Sequence, residues 1–277
     1  MKKTGFFGSL KRRVGVSAAV VGLVGAFAVS GSSASAEPST PDSKSQSKPT
    51  VVLVHGAFAD SSSWNGVVER LQRRGYPVLA PANPLRGLES DQAYVSAVLK
   101  SVTGPIVLVG HSYGGAVISG AAKDNPQVKA LVFIAAFAPE TGESALELSG
   151  KFPGSKLGPD TSTPLAYPGG TELSINPANY RDVFAGDLSR EAAAVGAATQ
   201  RPVDVSALGA PFVGVPAWKT VPSWALVATN DNAIPAAAER FMAKRANAHT
   251  VEVKASHSVA VSRPDAVADL IQDAARG

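Results

Sequence analysis

The sequence predicts an α/β fold: a mostly parallel sheet of about six strands, flanked by helices and interrupted once by a cap insertion. Three observations predict it. Short β-branched runs alternate with amphipathic helical stripes, the order expected of right-handed strand–helix–strand crossovers. Several of those runs are apolar at every position rather than every second one, as strands covered on both faces must be. One stretch, from about Ala138 to Val221, shows no strand pattern and holds nine of the twenty prolines. It is too long for a connection inside a compact domain and reads as a lid or cap.

Taken in order, the chain opens with a segment that does not belong to the fold. Lys2, Lys3, Lys11, Arg12 and Arg13 form a basic head, Val14 to Val29 is an uncharged and mostly apolar run, and Ala34-Ser35-Ala36 supplies small residues for cleavage. Residues 1–36 therefore read as an export signal, with a run too short for a membrane span. Arg12-Arg13 leaves the route open between Sec and twin-arginine export, and the expected destination is extracellular. Residues 37–49, rich in Ser, Pro, Lys and Thr, have too little apolar surface to offset ordering entropy and read as a disordered tether.

Removing the signal changes the charge reading. The whole chain is +4, but residues 37–277 carry 21 Lys and Arg against 22 Asp and Glu, a net of −1. No basic face for nucleic acid or membrane is implied. The chain has no cysteine, which excludes disulfides and thiol chemistry. Residues 50–277 are long enough for one sizeable core.

Six runs read as strands: Val51–Val54, Pro77–Ala80, Ile106–Val109, Ala130–Ile134, Trp224–Val227 and Val251–Val253. Between them, Trp64, Val67, Val68 and Leu71 share one helical face, as do Val95, Val98, Leu99 and Val102, and finally Val267, Leu270, Ile271 and Ala274. Inside the cap, 179–184 and 190–199 look helical, and the rest reads as loop.

The chemistry gathers where strands end. Gly110-His111-Ser112-Tyr113-Gly114 follows the third strand, with a helical pattern from Ala116 to Lys123 behind it. A strand that turns sharply into a helix at a serine lifts the hydroxyl above the sheet edge. A side chain at 110 or 114 would then collide with the adjacent strand or helix. The same turn aims the Tyr113 N–H, at a helix start, toward an oxygen beside Ser112. By itself the pentapeptide is equally a tight turn with an incidental serine. Three further features decide between the two.

His55-Gly56-Ala57-Phe58 ends the first strand at the same carboxyl edge. The N–H of Ala57, with Phe58 as the alternative, is positioned as a second oxyanion donor. Asp231 is the only acid in the loop after the fifth strand, with Pro235 opening the next helix. His257 follows the last strand. Of the other histidines, His111 should point away from Ser112, His55 should brace the oxyanion loop, and His249 reads as a solvated loop residue. Ser112, Asp231 and His257 thus stand in the order nucleophile, acid, base, each just past a strand.

Residues 50–277 are similar to the α/β-hydrolase superfamily. They resemble its small bacterial carboxylesterase-like members and, more distantly, the plant methylesterase and hydroxynitrile-lyase group. The motifs that carry the match are His55-Gly56-Ala57-Phe58, Gly110-His111-Ser112-Tyr113-Gly114-Gly115, Asp231 with Pro235, and His257. The resemblance implies an eight-strand template with an antiparallel second strand. Here the tether runs straight into the oxyanion strand, so a trimmed sheet is expected. It also implies hydrolysis of small to medium carboxylic esters through an acyl-enzyme. Hydroxynitrile lyases of the group carry a lysine after the catalytic histidine, where this chain has Ser258-Val259-Ala260, which argues against that activity. A cofactor-free perhydrolase, a lactonase, and a non-catalytic ligand-binding member of the fold are the alternative readings.

Phe152, Tyr167, Tyr180, Phe184, Phe212 and Trp218 are the cap aromatics. Phe58 and Trp218 are taken as substrate-pocket residues, with Tyr113 at the pocket floor. The histidines are scattered and no acidic cluster has ligand spacing, so neither a metal nor another cofactor is expected. The expected partner is a small-molecule ester; oligomeric state is not legible.

Overall fold

The structure, a computed structural model, describes residues 48–277. The predicted export signal, and the predicted tether up to residue 47, lie outside the described residues.

Strand β1 (Thr50–Val54) leads through a 3₁₀ turn at Ser61–Trp64 into helix α1 (Asn65–Arg73), then strand β2 (Val78–Leu79). Helix α2 (Leu88–Lys100), strand β3 (Ile106–His111), helix α3 (Tyr113–Ala121) and strand β4 (Val128–Ile134) follow. The insertion then contributes α4 (Ala145–Gly150), β5 (Ser162–Tyr167), β6 (Gly170–Ile175), α5 (Pro177–Val183), α6 (Arg190–Thr199), β7 (Val203–Asp204) and α7 (Val205–Gly209). The chain closes with β8 (Ser223–Ala228), α8 (Ala236–Arg245), β9 (His249–Val253), α9 (Val259–Ser262) and α10 (Pro264–Arg276).

All six predicted strands form one sheet in the order β2-β1-β3-β4-β8-β9, and every pairing in it is parallel. The apolar runs have the reason expected of them. Val52 and Val54 of β1 enter a core with Leu108, Tyr113, Val117 and the cap. Val51 and Leu53, one residue out of phase, enter a second core under α1 and α10 with Trp64, Leu71, Val267 and Ile271. Arg70 of α1 and Arg74 just past its end pair with Asp265 and Asp269 of α10.

The insertion departs from expectation. It contains a three-stranded antiparallel sheet, order β5-β6-β7, where no strand pattern is visible in the sequence. The physical reason is exposure. Strand β5 lies at the edge with most of its residues solvent-facing, so it needs no apolar alternation, and an edge strand tolerates Pro164. Pro168-Gly169 forms the turn, with Gly169 at φ 109°. Two smaller departures concern the six-stranded sheet. Strand β2 has only two residues, and β9 begins at His249, which stacks on Trp224 as an exposed strand residue rather than a loop residue. Among the described residues, no helix is long and apolar enough to cross a membrane.

Candidate active site

Every strand of the main sheet ends on one edge, and there the loops after β1, β3, β8 and β9 meet. Ser112 is the single residue between β3 and α3, and its backbone sits at φ 54°, ψ −126°. For a non-glycine residue this is a strained conformation, which local packing must hold. The flanking glycines supply the room. A Cβ on Gly110 would stand 2.6 Å from the Gly114 carbonyl oxygen, and one on Gly114 would overlap the Val54 carbonyl of β1. A Cβ on Gly56 would stand 2.6 Å from the Ser112 Cβ, so the loop after β1 approaches the serine by lacking a side chain. Because the Gly114 clash is with backbone, Gly114→Ala is expected to destabilise the fold by at least ~1–3 kcal/mol. A lowered urea midpoint in equilibrium unfolding checks this.

The structure brings Ser112, His257 and Asp231 together. Ser112 Oγ–H donates to His257 Nε2 at 2.8 Å, and His257 Nδ1–H donates to Asp231 Oδ2 at 2.5 Å. Asp231 Oδ1 accepts the N–H groups of Ala233 and Ile234 at 2.7 and 2.8 Å. The carboxylate is therefore oriented by its own loop before it meets the imidazole. All three side chains are buried. Neighbouring strands explain the convergence: β8 lies beside β9, so the loops after them are adjacent.

Around this relay the backbone supplies donors. Among the described residues, no acceptor takes the N–H of Ala57 or of Tyr113, while the N–H of Phe58 is bound to the Arg201 carbonyl at 3.0 Å. Phe58 is thereby removed as an alternative oxyanion donor: its amide anchors the cap to the β1 loop. His55 braces the same loop. Its Nε2 accepts the Asn83 N–H at 3.0 Å, its Nδ1–H donates to the Gly56 carbonyl at 2.9 Å, and burial lowers its pKa.

His111 points away from Ser112 and donates from Nε2 to the His257 backbone carbonyl at 2.9 Å, which steadies the histidine loop. Complete burial, with His257 close by, depresses its pKa to about 3. An unfolded histidine titrates near 6.5. Between these values the unfolded chain binds a proton that the folded chain refuses, so stability falls as pH drops from about 6.5 toward 3. The loss from this residue is on the order of 4 kcal/mol. Unfolding free energies at the two ends of that window should therefore differ less in His111→Phe than in the parent.

The relay opens on a cavity of about 80 Å³. Its lining includes Phe58, Phe137, Leu146, Leu173, Phe184 and Ile234, together with Ser112 and His257. Phe184 comes from the cap, packs edge-on against the His257 ring at 4.7 Å between centroids, and accepts from Ser258 N–H and Oγ–H at 2.9 Å each. Trp218 does not line this cavity. It is buried with its indole N–H donating to the Pro139 carbonyl at 3.0 Å, so the residue holds the cap's root. Tyr113 lies on the wall, but its hydroxyl donates to Asp91 Oδ2 at 2.9 Å and fastens α3 to α2. Burial raises the pKa of Asp91 and, with Asp91 beside it, that of Tyr113. The aliphatic wall residues of the cap escaped sequence reading because single leucines in irregular chain carry no periodic signal.

Comparison with known proteins agrees with this architecture. A model of the alpha/beta hydrolase family matches residues 51–270. An alpha/beta hydrolase of Aspergillus novofumigatus is 30% identical over 253 residues, covering 82% of this chain and 97% of its own. A carbendazim hydrolyzing esterase of a Nocardioides species is 34% identical over 110 residues, 35% of this chain and 46% of that one. The crystal structure of a pyrethroid hydrolase from Sphingobium faniae superimposes with a TM-score of 0.69 at 25% identity, covering 83% of this chain and 98% of the other.

Proposed function

Because the chain belongs to the alpha/beta hydrolase family, we propose that it is a carboxylic ester hydrolase acting through an acyl-enzyme on Ser112. The observation that carries this reading is the continuous relay from Ser112 Oγ through His257 to Asp231, at 2.8 and 2.5 Å, with Ser112 and His257 lining a mainly apolar cavity. The similarity to an esterase and to a pyrethroid hydrolase supports it.

The steps follow from the geometry. As Ser112 Oγ attacks the ester carbonyl, its proton passes to His257 Nε2, and Asp231 stabilises the imidazolium. The tetrahedral oxyanion is held by the N–H groups of Ala57 and Tyr113, each such donor being worth about 3–4 kcal/mol to the transition state. His257 returns the proton to the leaving alcohol. Water, activated by the same imidazole, then releases the acid and regenerates Ser112. The apolar wall suits a small to medium acyl or alcohol group.

The test is a burst and steady-state assay of the purified protein with p-nitrophenyl acetate and butyrate. A burst of p-nitrophenol matching the enzyme concentration supports the acyl-enzyme. Peroxide-dependent halogenation faster than ester hydrolysis would favour a perhydrolase instead. We further propose, from the pattern of residues 1–36 alone, that the protein is exported; N-terminal sequencing of protein recovered from the culture medium tests it, with Glu37 expected first.

A further inference from the structure

One more carboxyl group is buried at the start of the loop that carries Asp231. Glu239, on the first turn of α8, is buried against the sheet. Its Oε2 accepts the N–H of Ala228 at 3.0 Å, where β8 passes into the loop that carries Asp231. Its Oε1 is shut from solvent and meets no N–H or hydroxyl donor among the described residues. The charged group that bears on it is the Asp231 carboxylate.

A hydrogen bond between two carboxyl groups requires a proton on one of them. Asp231 receives three N–H donors, from Ala233, Ile234 and His257, so it is the anion. Glu239 receives one donor and otherwise faces Phe133, Ala225, Leu226 and Met242. The charged groups within reach do not reverse this. Arg240 projects from α8 to the surface, where Glu252 of β9 pairs with it through both carboxylate oxygens, and His257 lies beyond Asp231. Burial, reinforced by the charge of Asp231, pushes the Glu239 carboxyl well above the ordinary carboxylate range.

We propose that Glu239 is a positioning residue that, as a neutral acid, donates an O–H hydrogen bond to Asp231 and so tempers the basicity of His257. The inference rests on the reading of Ser112, His257 and Asp231 as a catalytic relay. Its physical content is a charge balance. A donor behind Asp231 draws negative charge away from the imidazole, so less is left to stabilise the imidazolium. Removing the donor concentrates that charge on His257 and raises its pKa. An ionised Glu239 would act in the opposite sense, since deleting a second negative charge would lower the pKa of His257.

The experiment is the pH dependence of kcat/KM on p-nitrophenyl butyrate for the parent, Glu239→Gln and Glu239→Leu, with Ser112→Ala as reference. The Gln amide keeps both a donor toward Asp231 and an acceptor for the Ala228 N–H. Its acidic limb should stay in place and its rate within about twofold of the parent. Glu239→Leu should move the acidic limb upward by roughly half to one pH unit and lower kcat with little change in KM. A downward shift in Glu239→Gln, or a normal profile in a Glu239→Leu protein that has only lost thermal stability, would overturn the proposal. Infrared spectroscopy gives a readout that survives failure of the Leu variant to fold. The parent and Ser112→Ala should both show a protonated-carboxyl C=O band above neutral pH that is missing in Glu239→Gln; its absence from the parent overturns the proposal. Turnover retained by Ser112→Ala would instead strike the relay itself, and the infrared band would be unaffected.

Discussion

Ser112→Ala is expected to lower kcat on p-nitrophenyl butyrate by about 10⁶-fold, the loss seen when a serine of this kind is removed from a triad. The expectation follows from the site. Among the described residues no other hydroxyl donates to His257 Nε2 and no acceptor takes the N–H groups of Ala57 and Tyr113, while Ser112 donates to that nitrogen from the end of β3 at 2.8 Å. What remains after the substitution is an oxyanion hole and a cavity, which account for a residual ~10³–10⁴-fold over water. The change in stability should be small. One hydrogen bond is lost, worth about 1 kcal/mol, and alanine inherits the same positive φ. Steady-state kinetics with a thermal melt on the same sample check both halves. Turnover near that of the parent in a folded Ser112→Ala protein would remove Ser112 from the mechanism.

Asp231→Asn should cost about 10⁴-fold in kcat, and the reason is a tautomer. Asp231 Oδ1 is held by the N–H groups of Ala233 and Ile234, a position that only an oxygen can fill. The amide nitrogen of an asparagine must therefore take the place of Oδ2, facing His257 Nδ1. A donor there forces the ring proton onto Nε2, where it meets the Ser112 hydroxyl and cannot accept its proton. The shape of the site is kept while its base is lost. Near-parental stability with kcat reduced by orders of magnitude is the expected signature. A loss of less than tenfold would mean that another group orients His257.

Much of this was legible in the residues. The six strands, Trp64 and Leu71 on the buried face of α1, and helix α6 at Arg190–Thr199 all lie where periodicity puts them. The cap strands were not, because β5 is a solvent-facing edge whose pairing comes from a turn at Pro168-Gly169 and not from an apolar pattern. Trp218 misled for a related reason. An aromatic residue in irregular chain offers no clue to whether its ring meets a substrate or, as here, its indole N–H meets a carbonyl such as that of Pro139.

The chain order alone determined that Ser112, Asp231 and His257 would share an edge. In a parallel sheet joined by right-handed crossovers, every strand ends on the same side, so a residue just past a strand is at that edge whatever the strand order. Only the tertiary structure decided which groups touch there. That β8 lies beside β9, that Arg201 occupies the amide of Phe58, and that Glu239 takes the N–H of Ala228 are contacts between segments distant in sequence or set by packing against the sheet. Local pattern encodes which face of an element is apolar; it does not encode which neighbour that face meets, and hydrogen-bond partners depend on the neighbour to within a few tenths of an ångström.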